Sequence, residues 1–261
     1  MTEIDKIRLY LRNVTLDFLG LFARPASGIH ILNGHMIARS NPRIDIFLDQ
    51  LKDLKNVADF IRIEDAVDLI NKRVEVKDTL LAFTFDDGFE ECATMIAPAL
   101  ETYGVNGLFF INPNFAEGDE QYIDNFTENI VMTSGKRPMR WPDIIDLHKR
   151  GHVIGAHTMD HKMINEYDLN ALDYQIGNCK AVIEDKLDAP CDYFAFPFGR
   201  LTDANVVSID VAMKYYKYIF SQSDYKNYFS YGGKVINRRH FEPYWPVNHV
   251  KYFISHHKQF L

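Results

Sequence analysis

The sequence predicts an α/β protein built on a mainly parallel sheet, and three observations carry that prediction. With 261 residues, 47% of them hydrophobic, the chain is long enough to bury a large core. Short apolar runs alternate with segments of helical period, which is typical of strands joined by crossover helices. Polar residues follow several of the apolar runs, and the carboxyl ends of parallel strands are where ligands usually bind. Because no linker, repeat or low-complexity segment interrupts the pattern, we expect one domain over residues 1–261.

The first element is a predicted amphipathic helix over residues 3–22. Apolar residues recur there at alternating spacings of three and four, with charged residues between them. Because Arg12 and Asp17 break up the apolar stretch and no small-residue cleavage site follows, we expect neither a signal peptide nor a transmembrane helix. The helix is predicted to pack on the body of the protein or on a sister chain in a homo-oligomer. Peripheral contact with a membrane surface is the alternative.

Beyond Pro25 the predicted strands and helices alternate. The apolar runs predict strands near 29–33, 59–63, 79–85, 105–111, 152–156, 193–196, 217–220 and 235–241. The segments of helical period predict helices near 43–56, 90–103, 141–150, 168–186 and 203–215. The segment 112–140 has no clear period and is long for a connection, which is typical of a functional loop.

Composition excludes some classes of function. The 36 acidic residues outnumber the 29 basic ones, the net charge is −7, and no basic run indicates a nucleic-acid surface. The three cysteines are odd in number and lack a CxxC spacing, so we expect neither a disulfide framework nor a cysteine zinc site. A reducing compartment and the lack of an export signal together predict a cytoplasmic protein, with or without membrane association.

A pair of aspartates ends the most apolar of the predicted strands. The run 80–85 leads into Asp86 and Asp87, and Gly88 supplies a turn before the next helix. Adjacent side chains of a strand point to opposite faces, so the two carboxylates can share a site only if the strand ends there. The alternative is a turn in which one aspartate caps the helix and the other is solvated.

Two histidines follow another predicted strand end. His157 and His161 are four residues apart, a spacing that places both imidazoles on one side of a helical turn. Two imidazoles and one carboxylate suit zinc and similar divalent metals, and they leave positions open for water and substrate. Alone, the pair could be a surface coincidence, but Asp87 ends a strand of the same sheet and could complete the set. The stretch YFAFPFGR at 193–200 also runs from a strand into a turn.

Three motifs, TFDDG at 84–88, HTMDH at 157–161 and FPFG at 196–199, resemble in this order the polysaccharide deacetylases of the NodB-homology class, carbohydrate esterase family four. The resemblance covers residues 79–241. It implies a deformed (β/α) barrel of about seven strands and metal-dependent removal of an N-acetyl group from an amino sugar in a glycan or glycan precursor. The alternatives are hydrolysis of another linear amide or an O-acetyl ester on the same metal site, or a non-catalytic carbohydrate-binding barrel.

The resemblance also implies roles for individual residues. It assigns a divalent metal, most commonly zinc, to the ligands Asp87, His157 and His161. Asp86 would be the general base that takes a proton from the attacking water, whose pKa the metal lowers. In the third motif, Pro197 and Phe198 would face the substrate, and the backbone N–H of Phe198 would hold the oxyanion.

Two departures from the family pattern leave roles open. The arginine that often orients the base aspartate would fall at Ala195, and the late histidine that usually serves as the general acid is missing. However, GIHILNGHMI at 28–37 resembles the strand and histidine that come first in circularly permuted relatives. His35 is therefore the favoured general acid.

The predicted strand 235–241 offers replacements for both missing groups. Strand alternation would place Ile236, Arg238 and His240 on one face. We expect Arg238 to stand in for the lost arginine, and His240 is the alternative general acid.

Overall fold

The computed structural model describes residues 3–224 and 226–260, and its centre is a ten-stranded sheet. The central strands are apolar and buried, because helices cover one face and the curl of the sheet encloses the other. The strands are β1 (Gly28–Gly34), β2 (Asp59–Phe60), β3 (Thr79–Phe85), β4 (Gly107–Ile111), β5 (Val153–Ala156), β6 (Tyr193–Ala195), β7 (Tyr218–Ser221), β8 (Phe229–Ser230), β9 (Val235–Asn237) and β10 (Arg239–His240).

Helices occupy most of the connections between the strands. The α-helices are α1 (Glu3–Phe22), α2 (Ile44–Lys55), α3 (Ile63–Asn71), α4 (Ala97–Glu101), α5 (Pro113–Glu117), α6 (Glu120–Asn125), α7 (Trp141–Lys149), α8 (Leu169–Leu172), α9 (Cys179–Leu187), α10 (Val206–Tyr215) and α11 (Val247–Ile254). Four of them, α4, α6, α8 and α9, adjoin π-helical turns, which lie at Cys92–Ile96, Phe126–Ile130 and Asp173–Asn178. Short 3₁₀ turns lie at Leu201–Asp203 and Tyr231–Gly233.

The sheet curls until its two ends meet. Its strand order is β10-β1-β3-β4-β5-β6-β7-β9-β8, with β2 added beside β3, and the pairings are parallel except for β8 with β9. β9 pairs with β7, whereas β10 pairs with β1 at the other end of the order. Only Arg238 separates β9 from β10 in the chain, so this residue lies at the closing seam. Counting β9 and β10 as one interrupted strand, the barrel has seven strands, and the predicted deformed barrel is confirmed.

Two apolar layers hold the barrel. The outer layer lies between the sheet and helices such as α2 and α7, and its aromatic centre includes Phe85 and Phe109, whose rings stack at 5.6 Å. The inner layer fills the barrel and includes Phe110 and Phe220, with ring centroids 5.6 Å apart. Helix α3 packs its apolar face on this inner layer. Beyond these apolar layers, the carboxyl ends of the strands carry polar groups.

Most predicted elements are present, and the differences have local causes. The predicted strand 59–63 is two residues long, because the apolar spacing that follows it belongs to helix α3. The segment 112–140, predicted as a loop, contains α5, α6 and a π-helical turn. The prediction of one continuous strand over 235–241 is wrong, because the chain changes neighbours from β7 to β1 at the seam.

Helix α1 lies against α11 at the outside of the molecule. Leu16 and Gly20 form its buried side, and the backbone of Asn248 on α11 approaches Gly20 so closely that a larger residue could not be accommodated there. Asp17 accepts a hydrogen bond from His249 at 2.9 Å. Within residues 3–224 and 226–260, no helix combines the length and apolar character needed to span a bilayer.

Candidate active site

Seven of the nine predicted site residues line a cleft at the carboxyl ends of the barrel strands, whereas Pro197 and Arg238 are buried and do not line it. The cleft has a volume of about 640 Å³. Its polar floor consists of His35, Asp86, Asp87, His157, His161, His240 and Glu242. Around them lie bulkier side chains, Met132, Met163, Phe198 and Tyr244. Parallel strands that end at one edge therefore bring the polar residues together from four separate parts of the chain.

The two adjacent aspartates share the cleft because the chain leaves β3 at this point. The backbone N–H of Asp86 still bonds to the carbonyl of Gly34, at 3.0 Å, as a continuation of the β1–β3 pairing. Asp87 then adopts a left-handed conformation, with φ of 71°, and so does Gly88, with φ of 72°. A side chain at Gly88 would also crowd Ile111, 3.2 Å away. A strained, tightly packed turn thus directs both carboxylates to the same side.

Asp87, His157 and His161 form a compact, buried set of metal-ligand atoms. Asp87 Oδ1 lies 3.2 Å from His161 Nε2 and 3.6 Å from His157 Nε2, and the three ligand atoms all lie within 4.8 Å of one another. Within the described residues, Asp87 Oδ1 is buried without a hydrogen-bond partner. A buried, unpartnered carboxylate oxygen facing two imidazole nitrogens is the arrangement that a bound cation would satisfy.

The protonation states also suit a metal. His157 Nδ1 donates to the carbonyl oxygen of Ala195 at 2.7 Å, which leaves Nε2 without a proton and directed at Asp87. Burial lowers the pKa of His157 to about 4, so its imidazole is neutral at pH 7. Burial alone would raise the pKa of Asp87, but the neighbouring His161 outweighs it and the pKa is lowered. A neutral imidazole and an ionised carboxylate are the forms that coordinate zinc.

Arg238 holds Asp86 in a two-pronged ion pair. Its Nη1 and Nη2 donate to the two oxygens of Asp86 at 2.8 and 2.9 Å, and both side chains are buried. Arg238 also donates through Nε to the carbonyl of Ser221 at 3.0 Å, and its guanidinium lies 4.9 Å from the ring centroid of Phe110. Burial raises the pKa of Asp86, but Arg238 outweighs it and keeps the carboxylate ionised. Arg238 therefore contacts the predicted base Asp86 directly.

Asn33 is a polar residue of this network that the sequence reading missed. It is fully buried in β1, donates through Nδ2 to Asp86 at 3.0 Å, and accepts from Arg238 at 2.6 Å and from Thr84 at 2.9 Å. The sequence did contain a signal for it: Asn33 is a polar residue at the end of the apolar run that precedes His35. A buried polar side chain needs hydrogen-bond partners, so a role in a polar network could have been predicted. Asn33 fixes the carboxylate oxygen that Arg238 also binds.

His35 and His240 share one carboxylate, Glu242. His35 Nδ1 lies 2.7 Å from Glu242 Oε1, and the His35 backbone N–H donates to Oε2 at 3.2 Å. His240 Nε2 lies 3.0 Å from the same Oε1, and its side chain is 44% exposed, against 21% for His35. Burial alone would lower the pKa of His35, but Glu242 raises it to about 10. At neutral pH His35 is therefore a protonated group beside the two aspartates.

Glu242 was also missed from the sequence. Burial alone would raise its pKa, but His35 and His240 lower it, so it remains ionised. In the sequence HFE it lies two residues after His240. A search for a carboxylate that could keep a candidate acid histidine protonated would have found it. Its contact with His35 joins residues 207 positions apart, which no local pattern reveals.

The third motif forms a loop over the histidines. Phe198 has a left-handed φ of 63°, and its half-exposed ring lies edge-on to His161 with centroids 4.9 Å apart. Pro197 is buried under this loop. Gly199 presses against Gln222, at a distance that a Cβ atom would violate. The loop thus holds Phe198, but not the side chain of Pro197, at the wall of the cleft.

A deformed (β/α) barrel that carries an arginine-paired carboxylate beside a compact His–His–Asp set at the ends of its strands has the groups that metal-dependent hydrolysis needs. The model of one family, described as polysaccharide deacetylase, matches residues 73–217, which is more than half of the chain. The chain therefore belongs to the polysaccharide deacetylase family, and the resemblance inferred from the three motifs is confirmed. No curated protein matches the chain.

Solved structures give the same fold. IcaB from Ammonifex degensii is 19% identical with a TM-score of 0.71, over 89% of this chain and 99% of that one. The deacetylase PplD from Streptococcus pyogenes, in complex with acetate, is 16% identical with a TM-score of 0.64, over 87% and 97%. A de-N-acetylase from Aggregatibacter actinomycetemcomitans is 15% identical with a TM-score of 0.62, over 86% and 99%. At these identities the similarities establish the architecture of the barrel.

Proposed function

We propose that this enzyme removes the N-acetyl group from an amino sugar in a glycan or glycan precursor, with a divalent metal, zinc in the first place, as its cofactor. The observation that carries the proposal is the position of Asp86, held by Arg238, beside the buried set Asp87, His157 and His161. The family supports deacetylation. Of the structural neighbours, one is described as a de-N-acetylase and another was solved with acetate.

The first half of the reaction uses the three proposed metal ligands and the base. Asp87, His157 and His161 would hold the ion, which when bound acidifies a water molecule and polarises the acetyl carbonyl. Asp86 accepts the proton of the attacking water, because it is ionised and one residue away from the ligand Asp87. Arg238 fixes both oxygens of Asp86, so the base keeps its orientation without reorganisation during the reaction.

The second half of the reaction needs a hydrogen-bond donor and an acid. The backbone N–H of Phe198, in the loop over the histidines, is the proposed donor to the developing oxyanion. His35, kept protonated by Glu242, delivers a proton to the departing nitrogen, because an amine leaves poorly unless it is protonated. His240 contacts the same carboxylate but is more exposed, so His35 remains the preferred acid.

The alternative functions would use the same active-site residues differently. An O-acetyl ester or another linear amide could react on the same metal set. A non-catalytic sugar-binding barrel has no use for a base carboxylate fixed by a buried arginine, since burying such a pair is costly. The fork between Arg238 and Asp86 therefore favours catalysis over binding alone.

Acetate release from zinc-loaded protein tests the proposal. The substrates are N-acetylglucosamine oligomers and an O-acetylated glycan without N-acetyl groups, and mass spectrometry measures the free amine. We expect acetate and free amine in equal amounts from the first substrate. Asp86→Asn should lose roughly a hundredfold or more of turnover while keeping its metal, and the exposed Asp65→Asn is the matched control. If acetate were released only from the O-acetylated glycan, the enzyme would be an O-acetyl esterase and not an N-deacetylase.

A further inference from the structure

The two histidines of the proposed metal site are held in different ways. His157 donates through Nδ1 to the carbonyl oxygen of Ala195 at 2.7 Å, and a hydrogen bond at the second nitrogen usually orients an imidazole that binds a metal. In contrast, Nδ1 of His161 is buried and lacks a hydrogen-bond partner within the described part of the chain. Its ring packs edge-on against Phe126 and Phe198, with centroids 6.0 and 4.9 Å apart. Such packing restrains the tilt of the ring, but the position of His161 depends on the segment that carries it.

That segment, residues 157–161, has an unfavourable backbone conformation. Thr158 and His161 both lie in the left-handed region, with φ of 64° and 55°. Residues with a side chain adopt this region at an energetic cost, and they keep it only where the surrounding structure holds them there. Thr158 is held, because Asn112 donates a hydrogen bond to its carbonyl oxygen at 2.9 Å. The end of the segment that carries His161 needs a restraint of its own.

Asp160, the residue before His161, is tied to three neighbouring elements. Its Oδ1 accepts hydrogen bonds from Asn114 Nδ2 at 2.6 Å and from the Tyr122 hydroxyl at 2.8 Å. Its Oδ2 accepts from Gln175 Nε2 at 2.9 Å, and its backbone N–H donates to Gln175 Oε1 at 3.2 Å. The donors belong to α5, to α6 and to the third π-helical turn. One carboxylate therefore fixes the backbone beside His161 to the wall of the site.

The chemistry of this network calls for a carboxylate at position 160. Three side-chain donors point at its two oxygens, and an asparagine would present an NH₂ group to at least one of them. Burial and the hydrogen bond to Asp160 raise the pKa of Tyr122, so its hydroxyl stays protonated and remains a donor. Hydrogen bonds to a carboxylate are roughly twice as strong as those between neutral groups. A neutral side chain of the same shape could not replace Asp160 here.

We propose that Asp160 is a positioning residue of the metal site, which holds the end of the segment 157–161 so that His161 faces Asp87. His161 Nε2 lies 3.2 Å from Asp87 Oδ1, and Asp160 adjoins His161 in the chain, so a shift of its carboxylate would move the backbone of the ligand. Asp160 does not line the cleft, so it acts through His161 and not on the substrate. The inference rests on the metal site of the proposed function, but it does not depend on which acetylated substrate the enzyme uses.

Zinc binding by the full chain tests this role without an activity assay. Competition with a chelator measures zinc affinity, and the absorption spectrum of the cobalt(II)-loaded protein reports the geometry of the ligands. Asp160→Asn should weaken zinc binding by roughly tenfold or more and alter the cobalt spectrum. Tyr122→Phe removes one of the three donors, so it should weaken zinc binding by a smaller factor. The matched control is Asn106→Ala, which removes a buried, hydrogen-bonded amide at the amino end of β4 and should leave zinc affinity unchanged.

A double substitution shows whether Asp160 acts through His161. In a His161→Ala background, Asp160→Asn should change zinc affinity by less than about twofold, because the ligand that it positions is gone. The proposal is overturned if Asp160→Asn alone binds zinc as tightly as the unchanged chain, or if it weakens binding equally in both backgrounds.

Circular dichroism melting curves check that each variant folds. If Asp160→Asn does not fold, Tyr122→Phe and the Asn106→Ala control decide the question by the same comparison: equal zinc affinity in the two would overturn the role of Asp160. An unchanged chain that binds no zinc would overturn the metal site itself, and the positioning role with it. Normal zinc binding and acetate release by Asp160→Asn would overturn the positioning role alone.

Discussion

Replacing Arg238 by methionine is the sharpest test of how the base is held. The substitution keeps an unbranched side chain in the seam but leaves Asp86 as a buried carboxylate without its counter-ion. In the unchanged protein the exposed fractions of the two side chains are 0% and 5%, so water cannot replace the lost partner. Asn33 still donates one hydrogen bond to Asp86.

The size of the effect follows from the contacts. Removing one member of a buried ion pair typically costs about 3–5 kcal/mol. Because Asn33 still donates a hydrogen bond to Asp86, we expect the free energy of unfolding to fall by about 3 kcal/mol, at the lower end of this range. That is a large share of the roughly 5–15 kcal/mol that stabilises a typical domain. Turnover should also fall, since Asp86 loses the bidentate ion pair that orients it.

A double-mutant cycle isolates the pair. Urea unfolding at pH 7, followed by circular dichroism on metal-free protein, would compare Arg238→Met, Asp86→Asn and the double variant. The double variant should be more stable than the sum of the single losses predicts, by roughly 2 kcal/mol, because it buries no uncompensated charge. Arg150→Met is the control: it removes two partly exposed ion pairs, with Glu101 and Asp146, and each should cost no more than about 1 kcal/mol.

Two outcomes would refute this reasoning. Arg238→Met could lose less than about 1 kcal/mol, like a surface pair. Alternatively, the single losses could add without coupling, which would mean that Arg238 supports the seam through Ser221 and the aromatic rings and not through Asp86.

Two further predictions concern the metal and the acid. Asp87→Asn should weaken zinc binding by roughly tenfold or more, measured by dialysis against a competing chelator; unchanged affinity would remove Asp87 from the ligand set. His35→Ala should lose activity and the alkaline limb of the pH profile, while His240→Ala keeps both. Since Glu242 raises the pKa of His35, the protonated acid is present below that raised pKa and lost above it, so Glu242→Gln should move the alkaline limb to lower pH. An alkaline limb that moves only in His240→Ala would transfer the role to His240.

The sequence was sufficient for the mainly parallel sheet and for the cluster of Asp87, His157 and His161, because both depend on local signals. The deformed barrel was predicted from the resemblance to the family and not from the pattern. Apolar runs mark the strands, and in a parallel sheet the residues that follow neighbouring strands must meet at one edge. This is why Asp87, His157 and His161 could be brought together without coordinates. Helix α3 carried a helical spacing of its own, but the strand predicted over 59–63 overlapped its start.

The partners of these residues could not be read in the same way. Asn33 and Glu242 act through contacts across long stretches of sequence, and nothing in their immediate neighbourhoods distinguishes them from ordinary polar residues. Arg238 was found through strand alternation, although the continuous strand assumed for that argument is interrupted. Its side chain reaches Asp86 because residue 238 occupies the seam, where the chain passes from one end of the sheet to the other.

That seam links assembly of the enzyme to its chemistry. The residue that aligns the base arrives from the far end of the sequence, and it can do so only after β9 and β10 have found β7 and β1. A chain trapped with an open sheet would still have its histidines and aspartates, yet it would lack an aligned base. The ion pair between Arg238 and Asp86 therefore depends on closure of the sheet, so damage to the pairing of β9 or β10 at one end of the chain would disturb the proposed active site as well.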